Sequence, residues 1–153
     1  MRFVRFQLII IFSRPIPLRA MINKIELDFG TITIFDKILV CECKEGVLLD
    51  VASNRKILEI GGEVFNEEAF GYISNRVNSY AVDPMVYRES AEYPQLKAIA
   101  VVTKSDIARQ SAVLEQKFYT NKNSFQIFSS LEEAKDWVKE VLIDQSKEKS
   151  LNL

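Results

Sequence analysis

The seven residues Leu96-Lys97-Ala98-Ile99-Ala100-Val101-Val102 confine the fold more than any other part of the chain. A run this short and this nearly continuous in apolar character is the pattern of a strand in the middle of a sheet, covered on both faces. Such a strand needs helices above and below it. The flanking sequence supplies them in alternation, which is the order of an α/β fold built on a mixed sheet.

Ahead of this strand, Lys24 to Phe29 alternates in polarity, Gly30 offers a turn, and Thr31 to Phe35 is β-branched and aromatic. Asp36-Lys37 separates it from Ile38 to Cys43, so three short strands with tight connections predict an antiparallel beginning, closed by Lys44-Glu45-Gly46. From Val47 a helical period sets in with Leu48, Val51, Ala52, Arg55 and Leu58, and Gly61-Gly62 is the expected stop. Ala69 to Ser74 reads as a strand and Asn75 to Tyr80 as a polar loop. Asp83-Pro84 opens the next helix and Pro94 ends it.

Beyond the central strand, Ser105-Asp106 caps a helix expected to bury Ile107, Leu114 and Phe118, which gives way at Asn121-Lys122-Asn123. Phe125 to Phe128 is a last short strand. Ser130-Leu131-Glu132-Glu133 has the form of a capping box, and the helix after it gathers Leu131, Ala134, Trp137, Val138, Val141 and Leu142 on one face. The expected total is about four helices, with a polar tail from 144 to 153 that frays in solvent.

The 153 residues fit one domain, placed at 21–143. Residues 1–20 read as an extension upstream of a start at Met21. Their apolar run, Phe6 to Phe12, follows Arg2 and Arg5 but is too short to span a bilayer and is broken by Arg14, Pro15 and Pro17. A weak membrane-associating arm is the other reading of this segment, and no integral membrane segment is expected. The two cysteines, Cys41 and Cys43, lie on one face of a strand and read as reduced thiols, which suits a cytoplasmic protein.

No histidine occurs anywhere, which removes the usual general base near neutral pH and the commonest catalytic-metal ligand. Serine and cysteine triads of the His-dependent kind are excluded with it. The formal charge is −1, but the first twenty residues hold four arginines and no acid, leaving sixteen bases against twenty-one acids beyond them. A domain of that sign repels phosphate backbones, so nucleic acid is not an expected partner. No catalytic residue, metal or cofactor is expected either. The acidic trio Glu63, Glu67 and Glu68 has no second ligand group beside it and reads as a solvated linker.

The order of elements, antiparallel strands followed by alternating helix and strand and closing on Phe128-Ser129-Ser130-Leu131-Glu132-Glu133-Ala134-x-x-Trp137-Val138, resembles the STAS-like domains, the relatives of the bacterial anti-sigma-factor antagonists. The resemblance spans about Lys24 to Leu142. It implies a small mixed sheet with helices, and a regulatory module that acts by binding a partner protein under control of serine phosphorylation. The Asp-Ser-Ser/Thr-Gly turn of the antagonists is missing here, where Ser74 to Pro84 takes its place. Ser74 and Ser79 are the hydroxyls available as phospho-acceptors.

Ligands of largely parallel sheets sit beyond the carboxyl ends of the strands, beside helix N-termini that favour anions. Two segments meet there: Asn75, Arg76, Asn78, Tyr80, Tyr87 and Arg88 from the first, and Lys104 with Ser105 from the second. These residues are the expected contacts for a protein partner, or for a small anionic or lipid-like ligand in the same crevice. An enzyme built on Lys104 and Asp83 ranks third.

Overall fold

The computed structural model describes residues 23–121 and 124–152. Strands β1 (Lys24–Leu27), β2 (Gly30–Phe35) and β3 (Ile38–Cys43) form an antiparallel meander. Then come β4 (Leu48–Leu49), α1 (Val51–Val64), β5 (Phe70–Asn75), β6 (Ala81–Val82), α2 (Met85–Ala91), β7 (Leu96–Val102), α3 (Asp106–Gln116), β8 (Phe125–Phe128) and α4 (Leu131–Leu151). The main sheet runs in the order β1-β2-β3-β5-β7-β8, with β3 to β8 parallel. This is the α/β architecture expected from the sequence: a mixed sheet, an antiparallel start and four helices among the described residues. The expectations for residues 1–20 and for a start at Met21 lie outside the described residues.

Strand β7 is the spine. Its five residues from Ala98 to Val102 are all buried between β5 and β8. Strand geometry sends Ile99 and Val101 to the face covered by α1, α2 and α3, and Ala98, Ala100 and Val102 to the face that, among the described residues, α4 covers. The alanines let α4 come close. So does Gly71 on β5, where an added Cβ would overlap the Val138 side chain. On the other face Asn54 of α1 donates to the Ser90 hydroxyl (3.0 Å) and the Val86 carbonyl (3.3 Å), joining α1 to α2 inside the core.

Three expectations are corrected. Helix α1 begins at Val51 because Asp50, ahead of it, accepts the Ser53 N–H at 2.8 Å. Leu48 and Leu49 pair instead with Ala81 and Val82 as a two-stranded sheet. Gly61 and Gly62 do not stop this helix, which continues to Val64. They are small because Phe70 packs where a Gly61 side chain would stand, and the Tyr93 hydroxyl where one on Gly62 would. Finally, 144–151 is no frayed tail: α4 runs on to Leu151, through Gln145, Lys147, Glu148 and Lys149, all strong helix formers.

Candidate functional site

Strand β5 ends in Ser74-Asn75, Arg76 follows directly, and the hydrogen bonds there direct each side chain. Asn75 donates across to the Glu42 carboxylate of β3 (2.8 Å). Arg76 continues the ladder by donating its N–H to the Val102 carbonyl (2.8 Å), while its side chain folds back over the α1–α3 face of the sheet. There its guanidinium meets Glu115 of α3 at two points, 3.0 Å and 2.5 Å, with only 5% and 10% of the two side chains exposed. The Tyr87 hydroxyl donates to the same carboxylate (2.6 Å) and accepts from Arg76 (3.2 Å). Ser74 accepts from Arg76 Nε (3.3 Å) and shares a 2.5 Å hydrogen bond with Tyr80, whose ring lies under the guanidinium.

Burial works against the charge on Arg76, and the Glu115 carboxylate more than offsets it, so the guanidinium stays charged. Burial also pushes the phenols of Tyr80 and Tyr87 well above their ordinary range, and for Tyr87 the Glu115 charge adds to the effect. Behind this network, Cys41 and Cys43 are buried free thiols with sulfurs 4.0 Å apart. The hydrogen bond they share lowers the pKa of Cys43 and raises that of Cys41; Tyr80 and Arg76 lower Cys43 further.

The ion pair fixes the rotation of α3. The stripe expected to face the core, Ile107-Leu114-Phe118, is turned outward: Ile107 is 78% exposed, Leu114 59%, and Phe118 half-buried. The inward stripe is Ala108-Ala112-Glu115 instead, at spacings of four and three. Rolling the apolar stripe inward would carry Glu115 off Arg76 and leave a buried arginine without its counter-charge, a cost of about 3–5 kcal/mol, which is of the same order as the gain from burying Ile107 and Leu114 and so offsets it. Val113 on the same helix is 47% exposed, Met85 at the start of α2 45%, and Val77, next to Arg76, 62%. Arg76, Glu115 and Tyr87 therefore bind together the three segments that carry these apolar side chains.

Beyond the carboxyl ends of β5, β7 and β8 lies a crevice of about 590 Å³, lined by Asn75, Arg76, Thr103, Lys104, Ser105 and the start of α4 at Ser129-Ser130. Two helix N-termini open onto it. Ser105 accepts the Ala108 N–H (3.3 Å) and Ser130 the Glu133 N–H (3.4 Å). Arg109 donates to Ser129 across the rim at 2.9 Å.

Of the residues expected at one site, Asn75, Arg76, Lys104 and Ser105 line this crevice. Tyr80 and Tyr87 join Arg76 in the buried network behind it, Asn78 ties its loop down by donating to the Cys43 carbonyl (3.0 Å), and Arg88 lies over the Phe118 ring. The two candidate phospho-acceptors part company: Ser74 is buried and hydrogen-bonded, whereas Ser79 is exposed. Ser74 is thus out of a kinase's reach in this fold. Sequence reasoning missed Glu115 altogether. Its only signal was its place in the Ala108-Ala112-Glu115 row, and the better apolar stripe outranks that. Among the described residues no helix is long and apolar enough to cross a membrane. Comparison with known proteins finds no family model, curated protein or solved structure that matches the chain.

Proposed function

We propose that this chain is a non-enzymatic regulatory or protein-interaction module of the STAS-like type, working in the cytoplasm, and that it docks its partner on the outward face of α3 with the adjoining Val77 loop and the start of α2. One observation carries the reading: an amphipathic helix is rolled so that its apolar stripe, Ile107 and Leu114, points to solvent while its glutamate is buried. Exposed apolar groups gathered on one face mark a surface that another molecule covers. The order of strands and helices supports the family, and two free buried thiols suit a reducing compartment.

The test is affinity capture from the native lysate with the wild-type chain and with Ile107→Glu/Leu114→Glu, whose thermal unfolding should match the wild type because neither side chain is in the core. A partner retained by the wild type and lost by the variant supports the reading. The same set of proteins on both would defeat it.

A second reading, a small anionic ligand held in the crevice, is favoured by the cation of Lys104 and the hydroxyls of Thr103, Ser105 and Ser129 around one cavity. Chemical shifts of Lys104 and Ser105 that stay unmoved by inorganic phosphate or short-chain carboxylates would set it aside.

A further inference from the structure

Resting on the docking surface just described, we infer that the partner presents an amphipathic helix whose apolar stripe is bordered by Asp and Glu. The apolar part of the surface has the dimensions of a helix. Ile107 and Leu114 stand two turns apart on one line of α3, about 10 Å along the axis, a straight apolar seam of the kind along which a second helix packs side by side.

The charges around that line have the sign opposite to the domain as a whole. Lys104 precedes α3, Lys117 follows it, and Arg88 reaches over the ring of Phe118; all three are exposed. Against these three bases stand two exposed acids, Asp106 on α3 and Glu92 just past α2, since Glu115 is buried and neutralised by Arg76. A predominantly basic margin around an apolar stripe selects an acidic margin on whatever covers it.

The same charges argue against a second copy of this chain. A two-fold contact places identical surfaces face to face. An antiparallel α3–α3 seam that sets Ile107 of one copy on Leu114 of the other also sets Lys104 of one against Lys117 of the other. Like charges opposed across an interface cost free energy instead of adding to it. A hetero-partner with acidic borders meets no such repulsion.

The experiment uses the full chain and three fluorescent synthetic peptides of about five helical turns. All share one leucine and isoleucine stripe; one has glutamate borders, one lysine borders, and one is a scramble of the first. The glutamate-bordered peptide should bind about tenfold or more tighter than either of the others, and should weaken several-fold as salt rises from about 0.05 to about 0.5 M. Leu114→Ser should abolish its binding, and Arg88→Glu/Lys117→Glu should transfer the preference to the lysine-bordered peptide. If both bordered peptides bind alike and both are lost in Leu114→Ser, the acidic partner is wrong and the docking surface stands. If no peptide binds through Leu114, the inference falls, and the capture experiment still judges the surface by itself. Sedimentation with phosphatidylglycerol vesicles in place of any peptide preference would make the occupant a membrane and overturn it too.

Discussion

Arg76 and Glu115, separated by thirty-nine residues of sequence, form a two-point ion pair beneath the surface of the domain, with the Tyr87 hydroxyl as a third member. The pair links the end of β5 to the underside of α3. It weighs against any rotation of α3 that would bring Ile107 and Leu114 inward.

Cutting the pair on one side should be costly. Glu115→Ala leaves the guanidinium buried without its partner, and an equilibrium urea titration should show a loss of about 3–5 kcal/mol. Arg76→Met/Glu115→Leu, which removes both charges, should recover most of that loss. A double variant no more stable than the single one would mean that the two side chains are not energetically coupled.

The outward residues of α3 should behave in the opposite way. Ile107→Ser and Leu114→Ser should each shift stability by no more than about 0.5 kcal/mol, whereas Ala112→Leu, which overfills a fully buried position, should cost about 1–3 kcal/mol. Reversal of this order in denaturant melts would show that α3 is rolled the other way in solution.

Alkali should unfold the protein cooperatively. Burial raises the phenol pKa of Tyr72, Tyr80 and Tyr87 in the folded state, so above the unfolded value of about 10 the native chain holds protons that the unfolded chain has released. The stability they contribute is complete below that pH and is lost as pH climbs toward the folded values. Tyrosinate absorbance and far-UV circular dichroism followed together should change in one step for these three residues. Smooth ionisation of all the tyrosines with the fold intact would contradict it.

Close contact between α4 and the sheet makes Gly71 intolerant of any side chain. Gly71→Ala should destabilise by about 1–3 kcal/mol, and Val138→Ala in the same chain should relieve part of the penalty, since the added methyl points at Val138. Strict additivity in the double-variant cycle would disprove the contact.

Much of the fold is legible in the sequence because local pattern and tertiary environment agree. The Leu96–Val102 run is buried on both sides as its composition requires, and the stripe from Ala134 to Val138 lies on the sheet. Where the sequence misleads, a long-range partner outweighs the local pattern. Periodicity puts Ile107 and Leu114 inside, but a buried arginine thirty-nine positions from Glu115 needs a carboxylate, and no periodic reading of α3 contains that fact. Gly61 and Gly62 mislead for a related reason: as residues they say stop, and only Phe70 and Tyr93, which crowd them, explain why they sit inside α1. That Asn75, Arg76, Lys104 and Ser105 would line one crevice was legible because strand ends and helix starts follow from element order. That Tyr80 and Tyr87 turn into the buried network was not, because the direction in which they point depends on contacts rather than on spacing.

The strands of the main sheet follow one another in space as they do along the chain. During synthesis each new strand can therefore join an edge that has already been made, and no earlier strand need be parted to admit a later one. The exception to this orderly growth is the final helix. Until the ribosome has released the stretch from Leu131 to Leu151, the side of the sheet holding Ile38, Val40, Ile73, Ala98, Ala100 and Val102 lacks the helix that covers it among the described residues, and a nascent chain halted before that point carries an open adhesive surface there.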